Sequence, residues 1–166
     1  MRRFTLVVFS WVVFAGVSQA QELSLKRTMG FLFIAPGGVT GGRDFGATVH
    51  VGGGVDVRIY KGLTVEADLG IVGGGDKLGI FSSGVSYRFL NATQNRRLVP
   101  YLTAGYTGAL TTIESGGGEN WFNFGGGVDY WIGQRKGVRL EFRDQVDPNH
   151  SQLWHFLEGR VGFVWR

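Results

Sequence analysis

The chain has 166 residues, 29 of them glycine, no cysteine, and a formal net charge of +4. Without cysteine there is no disulfide framework, so an exported form must be held together by its core, its sheet ladder or its solvent. Arg2 and Arg3 supply half of the positive balance, leaving +2 on the remainder, which does not argue for a nucleic-acid partner.

Residues 1–20 read as a secretory signal peptide. Arg2 and Arg3 give a basic start, residues 4–17 a mostly apolar core, and Ser18-Gln19-Ala20 a small-residue cleavage site. A retained helical span is the competing reading, but the apolar core is short for one and ends in a cleavage-type tripeptide. Residues 21–166 are then one domain. No later run approaches the roughly twenty apolar residues of a helical span. The glycine content has no collagen-like period, which favours a glycine-tolerant β architecture.

Eight strand-like segments follow in order. Residues 27–35 show no clean alternation, and their faces stay open. Residues 36–44, with Pro36-Gly37-Gly38 and Gly41-Gly42, read as a loop. Residues 45–60 alternate strictly: Ala47, Val49, Val51, Val55, Val57 and Ile59 oppose Thr48, His50, Asp56 and Arg58. Lys61-Gly62 makes a tight hairpin, and residues 63–72 return with Leu63, Val65 and Leu69 opposite Thr64, Glu66 and Asp68. After the turn at 73–77, residues 78–90 set Val85, Tyr87 and Phe89 against Ser82, Ser86 and Arg88.

A polar connector at 91–98 precedes residues 99–113, where Leu102, Ala104 and Tyr106 oppose Tyr101, Thr103 and Thr107. Residues 121–132 place Phe122, Phe124 and Val128 against Asn123 and Asp129. The seventh segment opposes Val138, Leu140 and Phe142 to Arg139, Glu141 and Arg143, and residues 144–152 read as a long loop. Residues 154–165 close the chain with Leu157, Val161 and Phe163 opposite Glu158 and Arg160. Even-numbered short strands joined by hairpins predict an all-β, eight-stranded antiparallel up-and-down barrel.

Alternation alone does not say which face is inside. A soluble lipocalin-like barrel binding a small apolar ligand buries the apolar face; a transmembrane barrel inverts it. Three features favour inversion. The polar face carries Arg58, Arg88, Arg139, Arg143 and Arg160 against Asp56, Glu66, Asp68, Asp129, Glu141 and Glu158, with no lysine; arginine suits crowded, poorly hydrated ion pairs. Glycines share that face, as a narrow eight-stranded lumen requires. Aromatics gather at strand ends as two girdles: Tyr60, Tyr87, Phe89, Tyr101, Tyr130 and Trp165 at the end bearing the termini, Phe45, Trp121, Phe122 and Trp154 at the other. The charged residues are therefore expected to form an Arg–Asp/Glu network that plugs the lumen, with the lipid bilayer as outer solvent.

Residues 98–105, LVPYLTAG, resemble the "PY-x-x-x-G" strand start of small OmpA-like and OmpX-like outer-membrane barrels. Residues 124–129, 139–144 and 160–165 are similar to later strands of the same family. The resemblance implies eight antiparallel strands, a cell outer-membrane location in a Gram-negative bacterium, insertion by the outer-membrane assembly machinery, and a structural or surface-interaction role with an unidentified surface ligand.

The sequence offers little chemistry beyond this. Gly73-Gly74-Gly75-Asp76-Lys77 lacks the ending of a phosphate loop and reads as a hairpin turn. His150-Ser151 with Glu158 is the one candidate hydrolytic set, but adjacent residues point apart, and the chain is not expected to be an enzyme. Asp147, His150 and His155 match no strong metal-ligand spacing. No cofactor is called for. His50 is expected to hydrogen-bond within the lumen, and an open pore is disfavoured because eight strands leave no aqueous channel around packed arginines.

Overall fold

The computed structural model describes residues 28–41, 44–74, 78–90, 97–110, 120–147 and 154–166; the expected signal peptide lies outside them. Each two-faced run becomes a strand, and each strand finds an antiparallel neighbour on both edges. In order they are β1 (Thr28–Gly41), β2 (Asp44–Tyr60), β3 (Leu63–Gly73), β4 (Leu78–Arg88), β5 (Leu98–Leu110), β6 (Asn120–Trp131), β7 (Lys136–Asp147) and β8 (Trp154–Trp165). Sequential neighbours pair throughout, and β8 returns to β1 to close the barrel. Closure leaves no open sheet edge, as a lipid surround demands.

The faces settle the class. Leu140 and Phe142 on β7 are 50% and 57% exposed, whereas Arg139 and Arg143 beside them are 2% and 1% exposed. Leu32, Val51, Leu69, Leu102, Phe124 and Val161 likewise point outward from other strands. The apolar residues form the outer wall and the charges fill the centre, so the soluble, apolar-filled arrangement is not the one adopted. No helix among the described residues is long and apolar enough to cross a membrane, and every element there is a strand.

Two segments differ from the sequence expectation. The stretch expected as a loop after residue 35 is strand: β1 runs on through Pro36, Gly37 and Gly38 to Gly41. Its ladder to β8 lapses at Ala35 and Pro36, where proline has no N–H, and resumes in the same register at Gly37↔Glu158. With β2 paired along the other edge, the breaker residues do not end the strand. Similarly β7 continues through Asp144 to Asp147 instead of ending at Arg143, because β6 and β8 pair with it up to Val146 and Asp147.

β1 also acquires faces that its sequence hides. Met29, Phe31, Phe33 and Ala35 are buried inside the barrel, while Leu32 and Ile34 face out. Both faces are apolar, so no alternation is visible. The inward rings have room because β2 is glycine opposite them: a Cβ on Gly54 would lie 2.7 Å from Phe31, and one on Gly52 would lie 2.8 Å from Phe33.

Candidate functional site: the charged lumen and its mouths

Strand register brings the charges together before any side chain reaches far. Asp129 is directly opposite Arg139, Glu141 opposite Arg160, and Arg143 opposite Glu158, each pair opposite in sign. Gly125 and Gly127 face Arg143 and Glu141 across the β6–β7 pair, leaving space for the long side chains. Asp56 and Glu66 are the like-charged cross-strand pair; Asp56 is bonded by Arg88 and Arg139, Glu66 by Arg143.

The cluster nearer the termini contains two carboxylates and two guanidinium groups. Arg88 donates to Asp56 at 2.5 Å and also to Asp129. Arg139 donates to Asp129 at 2.8 Å and to Asp56 at 2.7 Å. The Arg139 guanidinium sits between two rings, 4.5 Å from the centre of Phe31 and 5.2 Å from that of Tyr101. Tyr101 also backs Arg88 at 4.8 Å and donates its hydroxyl to Glu141 at 2.6 Å, joining this cluster to the next. Arg58, at the same end, is half-buried and lines a small cavity with Met29, Val99 and Trp131.

The second cluster is centred on Arg143, which donates to Glu141 at 2.6 Å, Glu66 at 2.8 Å and Asp68 at 3.3 Å. Thr103 donates a further bond to Glu66 at 2.6 Å. Arg160 reaches Asp68 at 3.3 Å and Glu158 at 2.5 Å. Glu158 in turn meets His50 Nδ1 at 2.8 Å and accepts from Gln145 at 3.3 Å. Asp56, Glu66, Asp68, Arg88, Asp129, Arg139, Glu141, Arg143, Glu158 and Arg160 are all buried. Guanidinium forks supply the directional donors that carboxylates need when water is excluded.

Above the charges lies a neutral layer, where Ser82, Thr107 and Asn123 share hydrogen bonds of 3.0 and 2.9 Å. Beyond it, at the end away from the termini, Val72, Ile80 and Phe156 cluster with Val39, Leu78 and Trp121. A cavity of about 280 Å³ opens there, walled by those residues together with Trp154, Gln145 and Asp147.

Two aromatics expected in the girdles belong to the lumen. Tyr101 is 2% exposed, and Trp121 packs on the inner apolar cluster. Both share parity with polar residues of their own strands, Thr103 and Asn123; strand-end position had overridden that signal. Tyr60, Tyr87, Tyr130, Trp165 and Phe122 remain exposed on the outer face, whereas Trp154, although 41% exposed, has the inward parity of Phe156 and walls the mouth cavity. The side chain of Phe45 lies outside the described residues.

Neither chemical alternative is assembled among the described residues. Glu158 is engaged with Arg160 and His50 inside the barrel, and His150 and Ser151 lie outside the described residues. Asp147 and His155 both border the cavity at the lumen mouth, and His150, the third residue of that set, lies outside the described residues. His155 bonds Asp144 at 2.9 Å. No group of three or more metal-ligating side chains occurs among the described residues.

No family model and no curated protein matches the chain, but solved structures do. Neisserial surface protein A (NspA) superposes with a TM-score of 0.70 at 15% identity, over 83% of this chain and 96% of its own. The N-terminal β-barrel domain of Pseudomonas aeruginosa OprF gives 0.57 at 19% identity, over 84% and 98%. Ail, the attachment invasion locus protein of Yersinia pestis, gives 0.57 at 10% identity, over 83% and 97%. The chain has the fold of the small eight-stranded outer-membrane β-barrels. Its exposed apolar wall corresponds in position to the lipid-facing surface of such barrels. The OmpA-like and OmpX-like strand motifs agree with this fold.

Proposed function

We propose that this small outer-membrane barrel is a closed structural element with a surface-interaction role and no catalytic activity of its own. The supporting observation is the lumen network, in which Arg88, Arg139, Arg143 and Arg160 each bond at least two carboxylates. Such a network leaves no aqueous path through an eight-stranded barrel. The interaction surface is the mouth away from the termini, where the apolar cup beside Trp121, Trp154 and Phe156 is shaped for a small apolar group of a surface ligand. Export by residues 1–20 and insertion by the outer-membrane assembly machinery are part of the same proposal.

The test is conductance of purified protein in planar bilayers, together with fractionation of cells. The barrel should remain with outer membranes after carbonate washing and show no single-channel steps. Steady unitary currents would remove the closed-barrel reading.

A further inference from the structure

The two ends of the barrel differ in charge. At the end bearing the termini, Lys61, Arg97, Arg135, Lys136 and Arg166 are all exposed. No acidic side chain lies on that rim among the described residues; the nearest, Asp56 and Asp129, are inside the barrel and bonded to Arg88 and Arg139. The exposed aromatics Tyr60, Tyr87, Tyr130 and Trp165 are at the same end, with Lys61 5.2 Å over the Tyr60 ring, the level at which aromatic belts meet lipid headgroups.

One part of this rim is a shaped site. The β6–β7 turn, residues 132–135, forms an open cleft of about 600 Å³ with Lys136 and with Phe163 of β8. Ile132 and Phe163 are 61% and 43% exposed on its membrane side, and Arg135 and Lys136 carry its charge. The turn is braced from behind. Ile132 and Gly133 both donate to the Lys136 carbonyl, at 3.1 and 3.2 Å, and the Arg166 amide donates to that of Arg135 at 3.0 Å. The Arg166 side chain packs 4.3 Å over Trp131 and donates to the Gln134 carbonyl at 2.9 Å. The carbonyls of Gln134, Arg135 and Lys136 are thus engaged within the turn, which leaves the Arg135 and Lys136 side chains to face the cleft.

We propose that this cleft binds one anionic phospholipid, its phosphate held by Arg135 and Lys136 and its acyl chains lying along Ile132 and Phe163. Two adjacent cations above two apolar side chains match an amphiphile with a negative headgroup. The surrounding exposed cations favour an anionic headgroup over a zwitterionic one by charge.

The test is native mass spectrometry of the full barrel released from vesicles of equal phosphatidylglycerol and phosphatidylcholine. The wild-type barrel should retain phosphatidylglycerol in preference, and Arg135→Gln with Lys136→Gln should reduce that preference by about fivefold for each charge removed at low salt. Heat-modifiable gel migration checks that the variant is folded. Lys61→Gln, elsewhere on the rim, should leave the preference nearly unchanged; an equal loss there would replace a local site by diffuse rim charge and overturn the proposal. Displacement of the lipid by excess inorganic phosphate would overturn it too, by showing that the acyl chains are not read. Equal retention of both lipids by the wild type sinks this inference while leaving the barrel in its membrane, whereas retention of neither lipid would count against the membrane reading itself and take the site with it.

Discussion

The Arg160 guanidinium lies 4.3 Å from the centre of the Phe33 ring. Its carboxylate partners, Asp68 and Glu158, come from β3 and β8. An aromatic residue from the one strand without visible alternation therefore supplies a wall for the charge network. Replacing the ring by an aliphatic group keeps the volume roughly constant but removes the π face. Phe33→Leu should cost about 0.5–2 kcal/mol, read as a shift in the urea unfolding midpoint of barrel folded in lipid vesicles. An unchanged midpoint would mean that the ring only fills space.

Arg143 is bonded to Glu66, Asp68 and Glu141 at once. Its removal leaves three buried carboxylates short of a donor. Arg143→Met should destabilise the barrel by about 3–5 kcal/mol. Arg143→Lys should recover part of the loss, since a point charge cannot reproduce the planar fork. The same vesicle-based unfolding measures both, and a loss below about 1 kcal/mol for Arg143→Met would indicate that water reaches these carboxylates.

His50 and Gly70 are coupled through space. The Nε2 atom of His50 lies 2.1 Å from where a Cβ on Gly70 would stand, and its Nδ1 is committed to Glu158. Gly70→Ala must displace the ring and weaken the bond to Glu158. His50→Ala removes the obstruction, so the double variant should lose clearly less stability than the two single losses added together. Simple additivity in this cycle would show that the strand backbone, not the imidazole, resists the methyl group.

Leu140 reports on the outer wall. A lipid-facing residue near mid-height tolerates charge poorly, and Leu140→Arg should cost about 2–4 kcal/mol. On a water-facing wall the same exposed position would accept arginine almost without effect. Comparison with Gln134→Arg, in the exposed turn, separates the two cases: only the Leu140 variant should lose heat-modifiable migration at a lower temperature.

How far the sequence carried this reading depended on contrast between faces. On β2, β3 and β7 apolar residues alternate with charged or polar residues and glycine, so strand, register and orientation are visible together. β1 has apolar residues on both faces, and its inward column of Met29, Phe31 and Phe33 is visible only once the glycines of β2 and the guanidinium groups of Arg139 and Arg160 are set beside it. The identity of the buried charges could be read from alternation, but their partners could not: Arg88 meets Asp56 and Asp129, on strands that do not adjoin its own. Pro36 and Asp144 misled for a local reason. Breaker and turn residues mark loops by propensity, whereas here both edges of the strand are held by neighbours from distant sequence.

The links across the lumen join residues far apart along the chain. Arg139 meets Asp56 across 83 positions, Arg160 meets Asp68 across 92, and His50 meets Glu158 across 108. A partly inserted hairpin from the first half would hold Asp56, Glu66 and Asp68 with their counterions still to come. Those counterions arrive with β4, β7 and β8, so the interior is fully neutralised only when the last strand is in place, and the barrel folds with high contact order.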